Sequence, residues 1–257
     1  VSKALHLRQA GSGPPLLFLH GWTMTGAAFE GQFQRLSGQF HCLAPDLPGH
    51  GGSDGPANIA TAVERLLDLL HDQDLQEVTV IGWSLGAMIA WHLIDADKDR
   101  RIVRMVSEDM SPRPRQTPDW PHGIRNDRPG RMSRRICDDW PGTARAISHG
   151  MFADRGGSPD MSAAEAEAMI LAQNPDAMAH FWSDLMAADA RGIVASMKVP
   201  LLAIFGTHSR VYLPDVAAWL GENAPRCRTM AFPASGHSPH LEEPDRFAEA
   251  IRSFAKP

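Results

Sequence analysis

Short runs of consecutive apolar residues recur along this chain, and most hand over to a stretch whose apolar residues fall at helical spacing. Pro15-Leu16-Leu17-Phe18-Leu19 ends at His20-Gly21 and is followed by a helical stretch over 27–36. The run 40–45 ends in a loop, Asp46-Leu47-Pro48-Gly49-His50-Gly51-Gly52-Ser53-Asp54, before Ala62, Leu66, Leu67 and Leu70 mark a second helix. Val78-Thr79-Val80-Ile81 leads into Gly82-Trp83-Ser84-Leu85-Gly86, a buried helix over 87–94, and a strand over 102–106. An apolar run without polar alternation belongs to a strand covered on both faces. Such strands alternating with helices build βαβ units around a mostly parallel sheet.

The alternation stops near Ser111. Residues 111–190 hold Pro112, Pro114, Pro118, Pro121 and Pro129, then helical stretches over 162–173 and 177–188, and no convincing strand. It resumes with a strand over 199–205, a helix near 216–220, a strand over 228–232 and a last helix over 243–254. The expectation is an α/β fold with a core made of 1–110 and 191–257, flanked by helices and interrupted by a helical insertion at 111–190. With 257 residues, 43% of them hydrophobic, such a core needs no disulfide or metal to hold it. The net charge of −5 argues against generic nucleic-acid binding. No apolar run is long enough for a membrane span, or at the start of the chain for a signal peptide. Cys42, Cys137 and Cys227 are odd in number and scattered, so the expected compartment is a reducing cytoplasm.

The strongest chemical signal is Gly82-x-Ser84-x-Gly86 between a strand and a helix. A nucleophile on so sharp a turn needs small neighbours two residues either side, because the backbones approach closely there. His237, in Ser235-Gly236-His237-Ser238-Pro239-His240, lies on a loop between the last strand and the last helix, where a general base for Ser84 has to be held. His240 stands three residues further on, but no third ligand is spaced to complete a metal site. Neither a metal nor a cofactor is expected.

These motifs resemble the α/β-hydrolase superfamily in its esterase-like branch with a helical cap. The matching residues are His20-Gly21-Trp22, Asp46-Leu47-Pro48-Gly49-His50-Gly51, Gly82-Trp83-Ser84-Leu85-Gly86 and Ser235-Gly236-His237. The elbow and the His-Gly-Trp loop are similar to those of pimeloyl-carrier-protein methyl esterases. The resemblance implies an α/β-hydrolase fold, an inserted cap, and an oxyanion hole made by the backbone N–H groups of Trp22 and Leu85. It also implies an acid, which superfamily members usually carry in a Gly-x-x-Asp turn after the strand matching 201–205. Here that turn reads Gly206-Thr207-His208-Ser209, and Asp215 lies beyond Pro214. Some dehalogenases and cofactor-free dioxygenases place the acid after the preceding strand instead, where this chain has Glu108 and Asp109. Asp109 falls at the matching position, and if it faces the cleft, period-two alternation turns Glu108 away from it; Glu108 is the alternative acid. A serine at 209, being neutral, is expected to contribute little.

Residues 110–186 are rich in methionine and aromatics, which suit an adaptable apolar pocket. Met110, Trp22 and Trp83, close to the catalytic groups in sequence, are the expected substrate-binding residues. Arg113, Arg115, Arg125, Arg128, Arg131, Arg134 and Arg135 concentrate positive charge at the start of the insertion, either as a solvated face or as a dock for an acidic acyl carrier protein. The expected function is a serine esterase acting on a small-molecule ester or acyl-thioester with an apolar acyl part through Ser84, His237 and Asp109. A cofactor-free oxygenase, or a C–C or hydroxynitrile lyase on the same fold, is the alternative.

Overall fold

The computed structural model describes residues 4–124 and 130–256. The apolar runs become strands β2 (Pro15–Leu19), β3 (His41–Pro45), β4 (Val78–Trp83), β5 (Ile102–Glu108), β6 (Leu201–Gly206) and β7 (Cys227–Phe232). With β1 (Leu7–Ala10) they form one seven-stranded sheet in the order β1-β3-β2-β4-β5-β6-β7. β1 runs antiparallel to β3 and every other neighbouring pair is parallel.

Period-two alternation sends successive side chains to opposite layers. Leu16 and Phe18 pack with Phe29, Phe33 and Phe247 on one face, whereas Leu17 and Leu19 pack with Leu66, Met88 and Trp91 on the other. Helices α1 (Glu30–Leu36) and α11 (Pro244–Ala255) cover the first face; α2 (Ile59–Asp72), α3 (Leu85–Ala96) and α9 (Asp215–Asn223) cover the second. β4, buried along its whole length, is the middle strand.

Between β5 and β6 lie α4 (Arg131–Asp138), α5 (Trp140–Gly150), α6 (Ala163–Leu171), α7 (Pro175–Ala187) and α8 (Arg191–Ser196). Among the described residues this stretch holds isolated bridges and no strand. Its helices carry explicit start signals: a capping box between Ser162 and Glu165 opens α6, and Asn174 caps α7. α4, α5 and α8 were not legible from periodicity, the last helix forms as α11, and a short helix that was not expected, α10 (Pro239–Glu242), precedes it. No helix among the described residues is long and apolar enough to cross a membrane.

Register positions the chemistry. Trp83 pairs with Glu108, and Glu108 with Ile204, so the C-terminal ends of β4, β5 and β6 open side by side. In open parallel sheets that edge is where ligands bind.

Candidate active site

Ser84 sits between β4 and α3 with φ 52° and ψ −117°, a conformation that side-chain-bearing residues rarely adopt. The turn is closed by its glycines. A Cβ at Gly82 would lie 2.5 Å from the Ala87 backbone, and one at Gly86 2.0 Å from the Leu19 carbonyl oxygen. The Ser84 hydroxyl makes no capping bond to α3, and Leu85, as the first helical residue, has an N–H without an intrahelical acceptor.

His237 and Asp109 meet across the strand ends. The His237 Nδ1 lies 2.5 Å from Asp109 Oδ2, and both side chains are nearly buried. Asp109 has φ 43°, which turns its side chain out of the β5 alternation. Glu108 goes the other way and is wholly buried, its Oε1 accepting from both the backbone N–H (2.8 Å) and Nδ1 (2.9 Å) of His240. Asp215 is engaged elsewhere, 2.9 Å from His122 Nδ1. Ser209 does more than its neutral side chain suggests: its Oγ donates to Asp109 Oδ2 at 2.6 Å.

The loop carrying Trp22 is fixed by His20. Leu47 N–H donates to His20 Nε2 at 2.9 Å, so that nitrogen is the acceptor, and Nδ1 then carries the proton it donates to the Gly21 carbonyl. Burial pushes His20 down to about 4, and burial with the neighbouring His20 also holds His50 well below its ordinary value. Trp22 Nε1 donates to Met178 O in α7, and its ring lies 4.7 Å from that of Trp182.

Ser84, His237, Trp22 and Trp83 line one cavity of about 250 Å³, predominantly apolar, whose wall is completed by Met132, Ile147, Met151, Trp182, Leu185 and Tyr212. Met110 is not on that wall. It is buried behind Tyr212, the chain's single tyrosine, whose hydroxyl donates to Met110 Sδ at 3.1 Å and whose burial raises its pKa. Tyr212 and Arg210 follow β6 in a loop without periodic signal, so sequence reasoning passed over both. The arginines of the insertion do not share one surface. Arg113 pairs with Asp119 and Asp189, Arg115 Nε donates to Met186 O, Arg131 and Arg134 are exposed, and Arg135 turns into the cavity. Arg125 and Arg128 lie outside the described residues.

A seven-stranded, mostly parallel sheet with a strained serine elbow at its middle strand defines an α/β-hydrolase. The chain belongs to the alpha/beta hydrolase family, which matches residues 16–250. Among its curated relatives, a pimeloyl-[acyl-carrier protein] methyl ester esterase of Nitrosomonas europaea is 27% identical over 96% of this chain and 98% of its own. The protein of that name from Vibrio parahaemolyticus is 28% identical over the whole of both chains. Among solved structures, an esterase from Exiguobacterium antarcticum superposes with a TM-score of 0.92 at 23% identity, covering 98% of this chain and 96% of that one. A bromoperoxidase from Bacillus anthracis reaches 0.89 at 21%, covering 98% and 95%. The likeness to these two structures is one of fold.

Proposed function

We propose that this chain is a carboxylic ester hydrolase that works through Ser84, His237 and Asp109 by way of an acyl-enzyme. The reading is carried by one observation: the serine on the strained elbow shares a cavity with a histidine whose Nδ1 is 2.5 Å from a buried carboxylate.

Ser84 Oγ attacks the ester carbonyl carbon while His237 Nε2 takes the hydroxyl proton. Asp109 accepts the Nδ1–H hydrogen bond, which keeps the Nε2 lone pair on the serine side and stabilises the imidazolium. The N–H groups of Leu85 and Trp22 receive the oxyanion, each donor being worth about 3–4 kcal/mol in such sites. As the tetrahedral adduct collapses, the C–O bond to the alcohol breaks and His237 returns its proton to the departing oxygen. Water, deprotonated by the same imidazole, then releases the acid and restores Ser84.

Residues 111–190 act as a cap on the core formed by 1–110 and 191–257, since α4, α5 and α7 supply much of the cavity wall. The apolar cavity suits an apolar acyl part, and the relatives whose name specifies a pimeloyl-carrier ester favour a carrier-bound substrate. Exposed Arg131 and Arg134 stand on α4, the helix that turns Met132 into the cavity, and would receive an acidic carrier there. Reversing both to Glu should raise KM for a carrier-bound ester relative to a small neutral one; equal effects on the two would remove the dock.

The test of the chemistry is Ser84→Ala. Fluorophosphonate labelling should vanish and kcat on esters should fall by at least about 10³-fold, because triad members act as a unit. Near-native turnover by the variant, or no labelling of the wild type, would sink the serine mechanism and leave the oxygenase and lyase alternatives.

A further inference from the structure

Two arginines, Arg135 and Arg210, line the predominantly apolar cavity beside the polar side chains of Thr23, Ser84, Tyr212 and His237, and among the described residues no Asp or Glu side chain does. Neither arginine has an ion-pair partner among the described residues, in contrast to Arg35, held between Asp160 and Asp245. Arg210 is fixed without being neutralised: Nη1 and Nη2 donate to the carbonyl oxygens of Phe152 and Ala153, each at 3.0 Å. Arg135 follows exposed Arg134 on α4, and one helical step of about 100° turns it from solvent to the cavity, beside Met132 one turn earlier.

Arg210 is exposed and Arg135 half-buried, so both reach solvent as well as the cavity, and an anion that enters the cavity can pair with them without displacing a carboxylate among the described residues. The planar guanidinium fork fits a carboxylate or a phosphate in particular. An ester bearing no charge offers these two groups nothing to pair with. The reactive centre makes no use of them either, since Ser84, His237 and the N–H groups of Trp22 and Leu85 account for the proposed chemistry.

Resting on the ester-hydrolase reading above but not on its carrier-bound substrate, whose remote end is tied to the carrier, we propose that among free esters the chain prefers one with a terminal oxyanion at the end remote from the scissile ester, and that Arg135 and Arg210 receive it. These arginines are specificity residues. They act on which ester is bound and not on the bond broken.

The experiment compares kcat/KM on three series of matched chain length: monomethyl esters of straight-chain dicarboxylic acids, methyl esters of ω-phosphoryloxy acids, and the neutral dimethyl esters. Because charge-assisted hydrogen bonds are the strong ones, at least one anionic series should exceed the neutral one by roughly tenfold or more at its best chain length. The larger ratio identifies carboxylate or phosphate as the terminus. Arg135→Gln should cut that ratio at least threefold, and the double variant with Arg210→Gln should bring it near one. Because Arg210→Gln also loosens the contact with Phe152 and Ala153, salt gives an independent reading: the wild-type ratio should fall as ionic strength rises. Ratios near one for both anionic series, or a preference that survives the double variant, overturn the inference. Neutral-ester turnover that Ser84→Ala abolishes would uphold the hydrolase reading whichever way the arginine comparison falls.

Discussion

Ser84 and Asp109, with φ of 52° and 43°, both hold backbone conformations that cost on the order of 1–3 kcal/mol for residues with a side chain. The sheet holds them there. Ser84 N–H donates to the Glu108 carbonyl at 2.9 Å and Asp109 N–H to the Ile204 carbonyl at 2.8 Å, so each strained residue is tied to the neighbouring strand end. The same adjacency brings Ser209, which stands where the superfamily resemblance implied an acid, to 2.6 Å from the Asp109 carboxylate. β5 and β6 open side by side, and an acid on either strand can therefore reach the same histidine. Asp109→Asn keeps the shape and tolerates the left-handed conformation but removes the charge. Its kcat on esters should fall at least ~10²-fold, a loose bound because such replacements reach about 10⁴; a loss under tenfold would remove Asp109 from the proposed role. Ser209→Ala deletes a hydrogen bond to a buried carboxylate and should lower stability by about 1–3 kcal/mol in urea unfolding. Its kcat should fall less than that of Asp109→Asn. An unchanged midpoint would mean that the serine is as silent as its sequence position suggested.

One scale up, the loop that carries His237 is clamped by three elements. Trp83, ending β4, donates from Nε1 to the His237 carbonyl at 2.7 Å. Glu108, ending β5, holds His240, and Glu242 in α10 accepts from Gly236 N–H at 2.8 Å, Ser238 N–H at 3.2 Å and Ala153 N–H at 2.5 Å. Glu108→Gln retains an oxygen that can accept from His240 and should lose less than tenfold in kcat. Glu108→Ala leaves the buried His240 donors without an acceptor, so its melting temperature should drop well below that of the Gln variant. Equal melting temperatures would mean that the pair does not hold the loop. The inner strands β2 to β6 and the Gly-x-Ser-x-Gly turn were legible because apolar runs and close backbone approach leave a local signature, which the more polar edge strand β1 lacks. α4 left little, since Ile136 is its one buried apolar residue among the helix positions. α5 hid behind Pro141 and Gly142, which read as helix breakers yet stand in its first turn, where a missing or capped N–H is tolerated. Arg135 and Tyr212 became cavity residues through contacts between distant segments, and no spacing in the sequence reports those.

At the scale of the molecule, acid stability should be set by buried histidines that stay neutral. His20 lies beneath the Gly21–Trp22 loop with its ring 5.0 Å from that of His50, which in turn stacks edge-on at 5.4 Å against Phe181 of α7. Protonating His20 buries a charge and breaks the hydrogen bond that its Nε2 accepts from Leu47 N–H, loosening the loop proposed to receive the oxyanion, and protonating His50 buries a charge against Phe181 of α7. Burial depresses His20 from 6.5 to about 4. Between those values the unfolded chain binds a proton that the folded chain does not, so stability is complete above pH 6.5 and declines as pH falls toward 4. The shift corresponds to about 3 kcal/mol, a large share of the ~5–15 kcal/mol that stabilises an ordinary domain, and His50 adds to it with the same sign. Asp74, Asp119, Glu165 and Asp189, whose partners hold them below their ordinary values, lose their contributions only below about pH 4.5. Glu242, raised by burial and by Glu108, has the opposite slope above its ordinary value, so the histidine effect is best read as a difference between proteins. The urea midpoint of the wild type should fall steadily from pH 7 to pH 5. That of His20→Asn should start lower and fall less, and parallel curves for the two proteins would show that His20 is not what acid attacks.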